Sequence, residues 1–134
     1  NKDYFDVIFI DGLHTYDQCL RDVENSLNFL NKGGFIFCHD FLPTDWKSAN
    51  REQLQSKWNG DVWKVSLHLV KTSGIDYFIA NCDQGVGIIK KIDTNINLKK
   101  NIENINNFNF KNYYEFYQNL PIEDPYKCIE RIIL

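Results

Sequence analysis

Apolar and polar positions along the chain fall into short blocks whose period switches between the continuous run of a buried strand and the three-to-four spacing of a helix. Tyr4 to Asp11 is a β-branched and aromatic run closed by Asp11-Gly12, which predicts a strand buried on both faces of a parallel sheet. Tyr16, Cys19, Leu20, Val23, Leu27 and Leu30 then recur at spacings of three and four, so one apolar face of a helix over about 16–30 is expected. Thr15 is placed to N-cap it, Asp17 suits the positive end of its dipole, and Lys32-Gly33-Gly34 reads as its stop. Gly34 to Asp40 is a second buried-strand run. Strand, helix, glycine turn and strand make a βαβ unit, with parallel strands and a right-handed crossover.

Beyond it the pattern loosens. Residues 41–59 read as a loop with a helical turn near Arg51–Leu54, and Gly60 to about Thr72 as a helix burying Val62, Val65 and Leu69. Ile75–Ala80 and Gly85–Ile92 are strand-like runs joined by Asn81–Gln84, short enough for an antiparallel hairpin. From Asp93 the chain turns rich in Asn and Lys, reading as a polar linker or a lid. A helix is expected over 112–120, broken by Pro121 and Pro125, and a last one over 126–134. The fold class expected is α/β, with residues 1–92 as the α/β unit and 93–134 as a polar, partly helical extension.

Composition narrows the function. With 134 residues, 43% hydrophobic and 25% charged, the chain is an ordinary single domain. A net charge of −3 argues against nucleic acid as a partner. No apolar run reaches the roughly 20 residues of a membrane helix. Cys19, Cys38, Cys82 and Cys128 are scattered without a paired motif, which suits reduced thiols and a cytoplasmic location. The sequence holds no methionine and opens on a strand-like run, as expected of a piece of something longer.

Ligands in open α/β sheets bind beyond the carboxyl ends of the strands. There the topology gathers Asp11, His14, His39 and Asp40. Two carboxylates and two imidazoles suit a divalent cation such as Mg²⁺ or Mn²⁺, and an imidazole also suits general-base work. Each also has a plain structural reading: the carboxylates as caps of following turns, the imidazoles as rim or loop residues. His68 lies in a helical stretch away from the rim and reads as structural. The lone Gly85-Val86-Gly87 has no helix after it, so it reads as close backbone packing rather than a dinucleotide loop. Trp58 to Lys64 is open between pocket lining and core packing.

Phe5 to Tyr16, with Asp11-Gly12-Leu13-His14-Thr15-Tyr16, resembles the fourth strand of class I S-adenosylmethionine (SAM)-dependent methyltransferases, in particular a bacterial family with a D-G-x-H-S/T-Y motif. Leu30-Asn31-Lys32-Gly33-Gly34-Phe35-Ile36 resembles the entry to that fold's fifth strand, His39-Asp40 its close, and Trp58 to Lys64 also looks like that family. The resemblance implies a partial Rossmann-like methyltransferase fold, strands 4-5-7-6 with a 6/7 antiparallel hairpin. It implies that the glycine-rich SAM-binding half is absent from this chain, leaving this segment alone inactive. It further implies O-methyl transfer to a small-molecule or sugar-like hydroxyl, with SAM as cofactor, Asp11, His39 and Asp40 as metal ligands, and His14 as base. A non-catalytic methyltransferase-like binding or assembly module is the competing reading. An open edge on the first strand would then invite self-association.

Overall fold

The computed structural model describes residues 5–134; Tyr4, expected to begin the first strand, lies outside them. The chain forms β1 (Phe5–Ile10), α1 (Tyr16–Phe29), β2 (Leu30–Cys38), α2 (Val65–Leu69), β3 (Ile75–Ala80), β4 (Val86–Lys91), α3 (Phe110–Tyr117), β5 (Ile122–Glu123) and α4 (Pro125–Ile133). Single 3₁₀ turns occupy Val62–Lys64 and Ile105–Asn107. The result is an α/β fold: a five-stranded open mixed sheet in the order β1-β2-β4-β3-β5, flanked by helices and consistent with a partial Rossmann-like fold. Strands β1 and β2 are parallel, β4 runs antiparallel to both β2 and β3, and β3 is parallel to β5. The first four strands take the expected order and hairpin. Strand β5, the two residues that directly follow Pro121, is an addition that no sequence run announced.

Register shows what holds the core. Ile8, Ile36, Ile89 and Tyr77 form one row across the sheet, and Ile10, Cys38, Gly87 and Ile79 the next. On this face lies the main core, which includes Tyr16, Cys19, Val23 and Leu27 of α1 and Val65 and Leu69 of α2. A Cβ on Gly87 would sit 2.6 Å from the Phe41 ring, so the glycine makes room for a fully buried aromatic. Burial pushes the Cys19 thiol up to about 12, an inert core position. The opposite face is covered unevenly. Cys128 of α4 packs on Phe78, Ala80 and Ile88, and the Arg131 guanidinium lies 3.8 Å over the Phe78 ring. On β1, Val7 and Phe9 are 60% and 62% exposed.

Several local expectations shift. Thr15 is the N-cap residue of α1 but its side chain makes no capping bond. Asp61 Oδ1 instead accepts from the Tyr16 N–H at 2.7 Å. At the other end the buried Lys91 ammonium donates to the Leu27 and Leu30 carbonyls at 2.7 and 2.8 Å, the favourable sign for a helix C-terminus. The helix stops at Phe29, before the glycines. Gly33 and Gly34 fall inside β2, at an irregularity where the pairing jumps from Phe5/Leu30 to Val7/Phe35. The turn expected near Arg51–Leu54 forms earlier, where the Ala49 N–H donates to the Asp45 carbonyl. Pro125 opens α4 rather than breaking a helix, because a first-turn position needs no N–H. The polar stretch after Asp93 packs inward: Ile96, Leu98, Ile102 and Phe108 lie against the core and Ile105 is buried within it. No helix among the described residues is long and apolar enough to cross a membrane.

Candidate functional site

The site forms where β1 and β2 end side by side. The parallel ladder runs one step past β2, with the His39 N–H donating to the Ile10 carbonyl at 3.0 Å. That step sets His39 and Asp40 beside Asp11. Strand β3 runs parallel to β1 and β2, so the turn after it, with Asp83 and Gln84, reaches the same rim. Asp40 has φ of 69°, a left-handed conformation uncommon for a residue other than glycine, and is buried.

All four residues that the sequence pointed to converge. The His14 Nε2 lies 3.1 Å from Asp40 Oδ2 and 3.7 Å from Asp11 Oδ1. The His39 Nδ1 lies 3.2 Å from Asp40 Oδ2 and 3.6 Å from Asp11 Oδ1. One ligand atom each from Asp11, His14 and Asp40 falls within 4.8 Å of the others, close enough to share an ion.

The two imidazoles differ in what their second nitrogen meets. His14 Nδ1 is 2.8 Å from the Trp58 carbonyl, which can only accept, so Nδ1 carries the proton. In the neutral ring Nε2 is then a lone pair, 3.1 Å from one carboxylate oxygen and 3.7 Å from another. Three electron-rich atoms facing one another repel unless a proton or a cation lies between them. His39 Nε2 lies 3.2 Å from Asp83 Oδ2, off the hydrogen-bond line but within ion-pairing distance. Carboxylates thus flank both nitrogens of His39. Burial alone would lower its pKa, but Asp40, Asp11 and Asp83 outweigh that and hold it above the ordinary histidine value. Asp40 is pushed up by burial, against the opposing pull of the two histidines.

Three residues that sequence reasoning did not place here complete the rim. Asn59 Nδ2 donates to Asp40 Oδ1 at 2.9 Å and approaches Gln84 Oε1 at 3.3 Å. Trp58 packs its ring 5.1 Å from the His14 ring. Asp83 could have been found by carrying the strand-end rule to β3; a main-chain acceptor such as Trp58 O has no sequence signature. His68 stands apart, as expected: it is fully buried, with its ring between Tyr16 and Lys99. A cavity of about 550 Å³ opens beside the N-terminus of α1, lined by Trp46, Arg51, Asp61, Lys64 and Phe108 among others.

Residues 1–41 match the family model described as a methyltransferase domain. The matched stretch covers β1, α1 and β2 and ends one residue beyond Asp40, so it holds Asp11, His14, His39 and Asp40 but not Trp58, Asn59 or Asp83. This supports a methyltransferase-like function for the domain. No curated protein matches the chain.

Proposed function

We propose that this chain is part of a SAM-dependent methyltransferase that methylates a hydroxyl of a small-molecule or sugar-like acceptor, with Asp11, His14 and Asp40 as a divalent-cation site at the acceptor end. The observation that carries the reading is the cluster itself: the His14 Nε2 lone pair and one oxygen each from Asp11 and Asp40 lie within 4.8 Å of one another, a donor set of the kind that holds a divalent cation. Two carboxylate oxygens and one imidazole nitrogen suit Mg²⁺ or Mn²⁺. Bound there, such an ion would supply a Lewis acid that lowers the pKa of an acceptor hydroxyl. His39 fits the ligand role less well, because carboxylates occupy the surroundings of both its nitrogens. It serves instead as a brace between Asp11, Asp40 and Asp83.

The chain's own residues do the remaining work. Asp11 and Asp40 set the negative charge, and the Trp58 carbonyl fixes the His14 ring. Without a cation, the same His14 nitrogen is the group positioned to take the hydroxyl proton. On this reading the methyl donor is held mainly by residues beyond these 134, since among the described residues no strand is followed by a glycine-rich turn into a helix. Calorimetric titration of this chain with Mg²⁺ and Mn²⁺, beside a methyl-transfer assay on a longer chain that includes the donor-binding residues, tests it. Asp11→Asn and His14→Ala should each remove ion binding and transfer. Wild-type behaviour in both variants would sink the proposal.

A further inference from the structure

Four consecutive residues, Trp58 to Asp61, each touch the rim or the helix that follows it. The Trp58 carbonyl accepts from His14 Nδ1 at 2.8 Å, and the Asn59 amide donates to Asp40 Oδ1 at 2.9 Å. The Gly60 backbone lies so close that a Cβ there would fall 1.7 Å from the His14 carbonyl oxygen, and its φ of 70° is left-handed. Asp61 Oδ1 caps α1 at the Tyr16 N–H. The loop is itself fixed from behind: the Asn59 and Gly60 N–H groups both donate to the Ser48 carbonyl at 2.9 Å, and Trp58 Nε1 donates to the Asn50 carbonyl at 2.7 Å.

The geometry assigns to this loop the positioning of the rim: Trp58, through its carbonyl, and Asn59, through its amide, decide which atom of His14 and which atom of Asp40 face the reacting space. Each target has two usable atoms. Trp58 occupies His14 Nδ1 and leaves Nε2. Asn59 occupies Asp40 Oδ1 and leaves Oδ2, the oxygen that His14 and His39 both meet. Without these partners the imidazole can flip its tautomer and the carboxylate can turn, and the donor set is lost. The balance at Asn59 argues against a merely structural role. The residue is 1% exposed, and its amide oxygen is buried with no partner, an arrangement that costs stability. An apolar side chain would avoid that loss but could not hold Asp40. Outer partners of this kind set ligand orientation and tautomer at metal sites.

This inference rests on the cation reading only for its second measurement. The first is the tautomer of His14 in the metal-free chain, read from long-range ¹H–¹⁵N correlations with labelled histidine, at a pH where its own ¹⁵N shifts show the ring neutral. His14 should carry its proton on Nδ1; a proton on Nε2 overturns the assignment. The second is Mn²⁺ affinity by calorimetry. Asn59→Ala should weaken binding by about 10–100-fold, Asn59→Ser, which keeps a donor, by less, and Gln84→Ala should stay within about threefold. Wild-type affinity in Asn59→Ala overturns the role of Asn59, and equal losses in Asn59→Ala and Gln84→Ala reduce it to general packing. If Asn59→Ala fails to fold, Asn59→Ser against Gln84→Ala makes the same decision. Should the wild-type chain bind no Mn²⁺, the cation reading and the role of Asn59 both fall, and the tautomer alone decides the role of Trp58.

Discussion

His14 and His68 are held by the same device and put to opposite ends. Each donates Nδ1–H to a main-chain carbonyl far along the chain, Trp58 for His14 and Lys99 for His68, and each therefore presents Nε2 as a lone pair. In the core, that lone pair accepts the Tyr16 hydroxyl at 2.6 Å, and the ring is satisfied on both sides. At the rim, it faces Asp11 and Asp40, which have nothing to donate when ionised. The backbone contact is the same; the chemistry lies in the partner of the second nitrogen. A histidine whose two nitrogens both have complementary partners is part of the fold. One left facing carboxylates is poised for a cation or a proton.

Truncating each ring should break the comparison most visibly. His68→Ala opens a cavity in the core and strands the Tyr16 hydroxyl and the Lys99 carbonyl, so a loss of about 2–4 kcal/mol is expected in chemical denaturation. Mn²⁺ binding should be unchanged in that variant as long as it is folded. His14→Ala should leave stability within about 1 kcal/mol, because it removes an electrostatic conflict along with one hydrogen bond. Equal losses of stability in the two variants would mean that His14 is a structural histidine after all.

Acidification sharpens the same contrast. Burial lowers the His68 pKa below its ordinary 6.5, with the nearby Lys71 charge adding to the effect and the Lys99 carbonyl opposing it. The folded chain then binds fewer protons than the unfolded one between the lowered value and 6.5. Stability is therefore fully present above pH 6.5 and falls as pH drops through that window. One proton limits the slope to about 1.4 kcal/mol per pH unit. Denaturation midpoints compared for wild type and His68→Gln across pH 5 to 7.5 measure it: the variant should lack this component, and identical profiles would refute the assignment.

Much of the architecture was legible because it is written in local pattern. The runs at 5–11 and 34–40, the helical spacing from Tyr16 to Leu27 and the short turn after Ala80 carry the parallel pair, its crossover and the hairpin. The convergence of Asp11, His14, His39 and Asp40 follows from that topology with no further information. What stayed hidden depends on partners distant in sequence. The ends of α1 are satisfied by Asp61, 45 residues from Tyr16, and by Lys91, 64 residues from Leu27, and nothing local at Thr15 or Gly33 reveals either. The Asn- and Lys-rich stretch after Asp93 read as a linker because its few apolar residues lack a period. It is pinned instead by the Lys99 main chain, whose carbonyl accepts from His68 and whose N–H donates to Thr72 Oγ1 at 3.1 Å. Trp58 to Lys64 stood out by composition alone, and composition does not say which atom a carbonyl will hold.

The smallest expected effect lies at the outer edge of the rim. Asp83 is 79% exposed on its side chain and meets His39 from solvent, so it is the weakest of the three carboxylates around that ring. Exposed ion pairs contribute roughly 0–1 kcal/mol, and this one is off the hydrogen-bond line. Asp83→Asn should shift stability by no more than about 0.5 kcal/mol and leave Mn²⁺ affinity within about threefold, since Asp11 and Asp40 still hold His39 from its other nitrogen. A large loss of ion binding would place Asp83 among the ligands. The site would then extend to all three carboxylates around His39, a ring that already shares Asp11 Oδ1 and Asp40 Oδ2 with the proposed ion.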